Sequence, residues 1–309
     1  MGAGLRVAFL GNAEWSVPSL QALASSSHEL VRVLTRVPRP APRGRKLVPT
    51  PVAEAARELG LPVAEVETVK RGMGLDELGS VHPEALVVVA YGEILPREVL
   101  DIPALYPVNL HFSLLPELRG PAPVQRALLE GLVSTGVTTL VMDEGVDTGP
   151  ILLQASEQID EEDDAGSLGT RLAAVGARLL VDTLDRLAAG AVEPQEQDEA
   201  RATYAPKIER REIDWTEDAT DVVRLVRALA PEPGAVAGFR GRPLRVMSAR
   251  VLDGSGAPGS VVRAGKEGFA VAAGDKAVAP LEVVPAGRRR MGAEEFVRGY
   301  RPQVGERLE

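Results

Sequence analysis

Residues 108–123 read VNLHFSLLPELRGPAP. The first four positions, Val108, Asn109, Leu110 and His111, alternate apolar and polar side chains, the period of a β-strand. The pattern breaks at Ser113-Leu114-Leu115-Pro116, turns through Arg119-Gly120-Pro121 and passes into a predicted helix at about 122–130. Residues two apart on a strand project from the same face. An amide and an imidazole therefore share one face where a strand gives way to a loop. Sites in open α/β sheets lie beyond the carboxyl ends of strands, so this strand end is the expected active centre.

Upstream, LRVAFLG at 5–11 reads as a buried strand ending in a glycine turn, with a helix over 18–25 behind it. Gly11-Asn12-Ala13-Glu14 lacks the later glycines of the dinucleotide fingerprint, which argues against NAD. A second strand is predicted at 29–36, a helix at 51–60 and a short strand at 62–66. ALVVVAY at 85–91 is a continuous apolar run, as in a central parallel strand covered on both faces. Downstream come a strand at 135–142, an extended segment at 151–159 and a long helix at about 167–189. Alternating strands and helices predict right-handed βαβ units and a mostly parallel, Rossmann-like sheet with helices on both faces. The acidic run Glu161-Glu162-Asp163-Asp164 is read as a solvated helix N-terminus. Residues 193–198 look linker-like, and a boundary is set between Pro206 and Lys207, giving domains 1–206 and 207–309. After a helix at 218–230, five short strands follow without intervening helices, at 235–239, 244–250, 260–263, 268–271 and 277–284. They predict a small β-barrel, closed by a helix at 293–300.

The length of 309 residues suits two domains, and 45% apolar with 26% charged residues is ordinary for a globular chain. There is no cysteine, which excludes a disulfide framework, a thiolate nucleophile and a Cys-ligated zinc. The start MGAGLRVAFLGN lacks the features of a signal peptide, and no apolar run reaches the roughly 18 residues of a membrane span. A cytoplasmic protein without membrane contact is expected, and no obligate protein partner is evident. The net charge is −9, split unevenly: residues 1–206 carry 17 Lys+Arg against 29 Asp+Glu, and residues 207–309 carry 18 against 15. An acidic chain repels polyanions, so nucleic acid can be met only locally. Arg36, Arg39, Arg43, Arg45 and Lys46 fall within eleven positions together with three prolines and no acid. That loop reads either as a solvated surface segment or as an arm that meets phosphate.

Of the three histidines, His28 and His82 fall in turns and are expected to face solvent. His111 differs, with Asn109 on its face and Asp147 at the end of the next strand. Asn109 can donate to a developing oxyanion. An imidazole exchanges protons near neutral pH, and a carboxylate can orient it. The set suits acyl transfer to an amine, by direct attack because no covalent nucleophile is evident. Asp143, Glu144 and Asp147 are also oxygen donors of the hard-metal type, but Gly145 and Gly149 favour an organic ligand, and no metal is expected.

At these residues the chain resembles the folate-dependent formyltransferases. The resemblance is carried by Asn109-x-His111, Ser113-Leu114-Leu115-Pro116, Arg119-Gly120, Ala122-Pro123, Gln125-Arg126 and Gly145-Val146-Asp147-Thr148-Gly149. It extends to LVPTPV at 47–52, Thr203-Tyr204-Ala205-Pro206-Lys207 and Ile213-Asp214-Trp215. It is closest to members that act on methionyl-tRNA. The resemblance implies a Rossmann-like catalytic domain and an OB-like, tRNA-binding barrel domain. It implies 10-formyltetrahydrofolate as donor and initiator methionyl-tRNA as acceptor. Asn109, His111 and Asp147 would be the catalytic trio. Ser113, Leu114, Leu115 and Pro116, with Val89, Ala90, Tyr91, Gly92, Ile94 and Leu95, would hold the folate. Arg36, Arg39, Arg43, Arg45, Lys46 and Lys207 would meet tRNA. The chain departs from the family pattern at Asn12-Ala13, Phe112, Glu117-Leu118, Val37 and Glu232. Three rival readings remain: a sugar or small-amine N-formyltransferase, a formyltetrahydrofolate hydrolase and a non-catalytic tRNA-binding protein.

Overall fold

The computed structural model describes residues 4–40 and 47–309. The chain divides into two compact units. The first takes residues 1–123, 134–158 and 169–206; the second takes 207–309 together with the short stretches 124–133 and 159–168.

The first unit is built on a seven-stranded sheet. Its elements begin with β1 (Arg6–Gly11), α1 (Val17–Ala24), β2 (Glu29–Arg36), the two-residue strands β3 (Arg39–Pro40) and β4 (Leu47–Val48), α2 (Pro51–Glu58) and β5 (Val63–Val66). They continue with α3 (Met73–Ser80), β6 (Ala85–Val89), α4 (Arg97–Leu100), β7 (Tyr106–His111), β8 (Ser134–Val141), β9 (Ile151–Gln158) and most of α6 (Ala165–Ala188), while α5 (Pro123–Leu129) falls almost wholly in a stretch of the second unit. The strand order is β5-β2-β1-β6-β7-β8-β9. Helix α2 starts where the sequence says it should. Pro51 opens it, and the Thr50 hydroxyl accepts the Ala53 N–H at 3.1 Å, a cap contributing about 1 kcal/mol.

Strand β6 is buried at all five positions, and each fully buried Val or Leu stabilises by roughly 1.5–3 kcal/mol. Its register shows why both faces must be apolar. Leu86 and Val88 join Ala8, Leu10 and Leu34 in a core with Leu78 of α3 and Val99 and Leu100 of α4. On the opposite face Leu110 packs against Gly176 of α6, where a Cβ would lie 2.7 Å from Leu110 Cδ2. Val88 pairs with Asn109, so Asn109 and His111 lie on the face covered by α3 and α4.

The sheet is parallel from β5 to β7, and antiparallel at β7–β8 and β8–β9. The right-handed crossover expected after β7 is not made. The connection returns at the carboxyl end of β7, with His111 facing Thr138 and Val108 facing Val141. Helix α3 carried no clear period in the sequence and was not foreseen.

In the second unit α7 (Ala219–Leu229) buries Val222, Leu225, Val226 and Leu229, one face at helical spacing. The strands β10 (Ala235–Phe239), β11 (Arg242–Leu252), β12 (Val261–Gly265), β13 (Gly268–Ala272) and β14 (Ala277–Pro285) form an antiparallel sheet in the order β10-β11-β14-β13-β12. The two-residue β15 (Met291–Gly292) pairs with β14, and α8 (Ala293–Tyr300) follows. Phe296 of α8 lies 5.3 Å from the Phe239 ring, 5.2 Å from Phe269 and 4.6 Å from Tyr300. The ring of strands is completed by a segment that the sequence pattern did not reveal. Glu309 exchanges two backbone hydrogen bonds with Gly238 beside β10, while Leu308 N donates to Gly259 O at 2.8 Å and Val261 N to Glu306 O at 2.8 Å beside β12. Both edge strands are thus paired, as a barrel requires. The tail comes so close that a Cβ on Gly259, at φ +83°, would lie 2.6 Å from Leu308 O.

The acidic run is not solvated throughout. Asp163 is buried; its carboxylate accepts from Asp160 N at 2.8 Å and from Ser167 Oγ at 2.8 Å, while the Arg227 guanidinium donates to the Asp163 and Asp160 carbonyls.

Candidate active site

Strand β7 delivers Asn109 and His111 to one face, and the chain then doubles back over it. Ser113 O accepts from Thr138 Oγ1 at 2.7 Å, and the same hydroxyl accepts from Leu115 N at 3.1 Å. Residues 113–115 are thereby held against β8. Leu118 sits at φ +59°, and its carbonyl lies 2.9 Å from His111 Nε2. A carbonyl has no hydrogen to give, so Nε2 is the donor and Nδ1 is the nitrogen left for other partners.

That partner is Asp147. The loop 142–150 leaves β8 beside the start of β7, where Met142 N donates to Pro107 O. It is shaped locally by Asp143, whose carboxylate accepts from Gly145 N at 3.0 Å and from Thr148 Oγ1 at 2.8 Å. It then places Asp147 over β7. Asp147 Oδ1 accepts from Asn109 Nδ2 at 3.2 Å, and Oδ2 accepts from Gly120 N at 2.9 Å and lies 3.5 Å from His111 Nδ1. The Gly120 amide can be aimed this way because that residue takes φ +116°, which a side chain resists. The three expected catalytic residues therefore converge, with the His111 side chain 6% and the Asp147 side chain 15% exposed. Asn109 Nδ2 keeps a second hydrogen for another acceptor.

Sequence reasoning missed the residues around this trio. Gln197, in the stretch read as a linker, donates to the Asp147 and Gly149 carbonyls. The neighbouring Gln195 exchanges backbone hydrogen bonds with Ile151 at 2.7 and 2.8 Å. Arg119, foreseen only as part of a turn, is fully buried and binds both Gln197 and Glu199. Its hydrogen bonds hold the Glu199 carboxyl below the ordinary carboxylate range, and Glu199 in turn raises the guanidinium. No local period marked Gln197. The departing pair Glu117-Leu118 is also accounted for. Glu117 pairs with Arg201 at 3.2 Å, and Leu118 is buried, its N–H donating to Thr203 Oγ1.

The expected folate residues fall in two groups. Ser113 and Leu115 are buried, and the Ser113 hydroxyl donates to Glu117 O at 2.6 Å. Its role is to hold the turn, and Leu114 packs against Gly136. The second group follows β6. Val89, Tyr91 and Leu95 are buried, whereas Ala90 at φ +45° and Gly92 at φ +79° are exposed, and Ile94 is 63% exposed. Burial, with Glu93 adding and Arg36 opposing, pushes the Tyr91 hydroxyl up to about 12. Asn12, just after β1, ties this loop to β2: its Nδ2 donates to Tyr91 O, and its Oδ1 accepts from Thr35 Oγ1 at 2.9 Å and Arg36 N at 2.8 Å. A cavity of about 300 Å³ beside Asp143 and Glu144 is lined also by Arg97, Asp101 and Met142 and contains none of the trio.

Of the expected tRNA contacts, Arg36 is drawn inward. It pairs with Glu93 at 2.8 Å, donates to Glu67 O at 2.6 Å and lies over the Tyr91 ring. It ties β2 to the loop after β6, because a carboxylate distant in sequence lies next to it in the fold. Arg39 and Lys207 are exposed. Arg43, Arg45 and Lys46 lie outside the described residues. His28 is also corrected: it is buried, accepting Leu5 N–H at Nδ1 at 3.0 Å, with Nε2 3.4 Å from Asp185.

Residues 5–184 match the formyl transferase family, and residues 207–301 match its C-terminal domain. The chain belongs to the formyl transferase family. It is 41% identical over 305 residues to methionyl-tRNA formyltransferase of Magnetococcus marinus, covering 98% of each chain. To the enzyme of that name from Moorella thermoacetica it is 44% identical over 308 residues, covering 98% of this chain and 99% of the relative. Among solved structures, HypX from Aquifex aeolicus in complex with tetrahydrofolic acid shares the fold. Its TM-score is 0.68 at 20% identity, over 98% of this chain and 48% of that one. So does the N-formyltransferase from Helicobacter canadensis, with TM-score 0.65 at 18% identity, over 89% of this chain and 99% of that one. Among the described residues of this formyl transferase no helix is long and apolar enough to cross a membrane.

Proposed function

We propose that this chain transfers the formyl group of 10-formyltetrahydrofolate to the free amine of initiator methionyl-tRNA in the cytoplasm. Full-length similarity to methionyl-tRNA formyltransferases supports the acceptor, and the convergence of Asn109, His111 and Asp147 supports the chemistry. The amine nitrogen attacks the formyl carbon, and the carbonyl electrons move to oxygen. Asn109 Nδ2 gives its second hydrogen to that oxyanion. His111 Nδ1 and Asp147 Oδ2, 3.5 Å apart, receive the proton that the amine loses. That proton is passed on to the folate nitrogen as its bond to carbon breaks. Leu118 O keeps Nδ1, not Nε2, turned to this task.

The exposed backbone of Ala90 and Gly92 and the side chain of Ile94 suit a flat heterocycle bound largely through main-chain groups. The basic segment of the sequence that holds Arg39, Arg43, Arg45 and Lys46, together with the second unit, is assigned to tRNA. That unit carries Lys207, and on the barrel Arg250, Arg263 and Lys266 line a groove of about 350 Å³ with a single acid, Glu267, and with Phe269 and Leu281.

The deciding assay is formylation of methionyl-tRNA with 10-formyltetrahydrofolate. Turnover of an amino sugar but not of charged tRNA would overturn the acceptor, and formate release without any amine would make the chain a hydrolase. Replacing Arg43 and Arg45 with Ala is expected to weaken tRNA binding and flatten its salt dependence by about one unit of slope per lost phosphate contact.

A further inference from the structure

We propose that Gln197 is a positioning residue that clamps the catalytic loop and so fixes the Asp147 carboxylate against Asn109 and His111. The inference rests on the reading of Asp147 as part of the reacting group. Asp147 sits at φ +56°, a sparsely populated region for a residue with a Cβ. Such a conformation persists only where surrounding contacts hold it. Gln197 supplies that hold from the far side of the loop. Its two amide hydrogens go to the carbonyls of Asp147 at 2.9 Å and Gly149 at 2.7 Å, one at the strained residue and one just beyond it.

The amide can face only one way. Gln197 Oε1 accepts from Arg119 Nε at 3.0 Å and from Arg119 Nη2 at 2.9 Å. A flipped amide would turn hydrogens toward the guanidinium and oxygen toward two carbonyls. Arg119 is itself fixed, with a side chain that has no exposure and a bidentate pair to Glu199 at 3.0 and 2.7 Å. Both donors and both lone pairs of Gln197 are thereby used within the protein. None remains for a substrate, so the residue acts through Asp147 and not on the reacting atoms. Gly120, next to Arg119, donates its N–H to Asp147 Oδ2. The same turn therefore holds the aspartate twice, once directly at the carboxylate and once through Gln197 at the backbone.

Gln197→Glu tests the clamp. The carboxylate keeps the length and still accepts from Arg119, but it cannot donate to either carbonyl. We expect a folded protein whose kcat falls roughly 10- to 100-fold, as for a misplaced catalytic group, while KM for 10-formyltetrahydrofolate stays within about threefold. Hydrogen exchange at the Gly120 amide, which reports the Asp147 bond without any turnover, is expected to accelerate. A folded variant with unchanged kcat and an unchanged Gly120 exchange rate overturns the proposal. If Gln197→Glu does not fold, Gln197→Met is put to the same two measurements with the same deciding outcomes. Asp147→Asn, assayed alongside, separates the two layers. Normal turnover there removes the catalytic reading of Asp147, whereas Gly120 exchange in the Gln197 variant still decides the clamp.

Discussion

The two units are held by different kinds of contact. Around Asp147, the partners are polar side chains from distant segments: Asn109, His111, Gly120 and, behind them, Arg119 and Gln197. In the barrel, the centre is an aromatic group on α8 and the neighbouring strands, enclosed by alternating apolar positions and a backbone-paired tail. Directional hydrogen bonds fix atoms to fractions of an ångström but contribute only about 1 kcal/mol net each. Apolar burial is non-directional and larger in sum. The first arrangement suits chemistry and the second suits a stable platform. Removing a side chain should therefore change turnover in one unit and stability in the other.

The largest effect is expected at His111. His111→Ala should lower turnover by roughly 10²- to 10⁴-fold, the usual weight of a general acid–base group, and leave the melting temperature nearly unchanged. A variant with near-normal turnover would show that the imidazole is a strand residue and nothing more. In the barrel the converse applies. Phe296 is fully buried, and Phe296→Ala should cost about 3–5 kcal/mol by lost transfer energy and the cavity left behind. Thermal unfolding followed through Trp215, which belongs to that unit, would record it. An unshifted transition would mean that the aromatic group is not the centre of that core.

This contrast also explains what the sequence disclosed. The five barrel strands were legible because a period of two and intervening glycines are local signals, and α7 because its apolar residues recur at helical spacing. Asn109 and His111 were legible for the same reason, since two residues on one strand share a face wherever the strand lies. Gln197 was not, because its partners are fixed only when β8, the loop after it and the 193–206 segment are folded together. The Arg36–Glu93 pair was hidden on the same ground: a charge in a basic run shows no partner until Glu93 is seen beside it. His28 was misread because a polar turn in sequence can still be covered, here with Asp185 beside it. The antiparallel return of β8 was missed because the residues after His111 lie along β8, so the chain re-enters the sheet at the end it has just left. Those are long-range facts, and neither composition nor period encodes them.

Barrel closure gives a smaller effect. Leu308 is 2% exposed, and Phe239 and Ser260 bridge to Leu308 and Arg307. Leu308→Ala should cost roughly 2–3 kcal/mol, and Gly238 and Val261 amides should exchange faster as the two strand edges open. Loss of stability without faster exchange at those amides would separate packing from closure.

The smallest effect separates the units by pH. All three histidines precede residue 207, so the barrel strands carry no imidazole. Burial lowers the His28 pKa from its ordinary value near 6.5, against an opposing pull from Asp185. The unfolded chain therefore takes up this proton at a higher pH than the folded one. The stabilising contribution is present above about pH 6.5 and is lost as pH falls below it toward the lowered folded value. Physically, a proton on Nδ1 would face the Leu5 N–H that it now accepts. In the second unit, hydrogen bonds hold the carboxyls of Glu212, Asp214, Asp275 and Glu306 below their ordinary values. Their contribution is present above the unfolded carboxyl range, near pH 4, and is lost only as pH falls through that range. Between pH 7.5 and 5.5, then, the catalytic unit should soften while the barrel does not. The two tryptophans report this separately, Trp15 in the first unit and Trp215 in the second. In a Trp215→Phe variant the Trp15 transition should move to lower temperature across that window. In a Trp15→Phe variant the Trp215 transition should hold still. His28→Asn, whose side-chain oxygen can accept the Leu5 N–H, should flatten the Trp15 response, and a slope that survives this substitution would assign the acid sensitivity to another group.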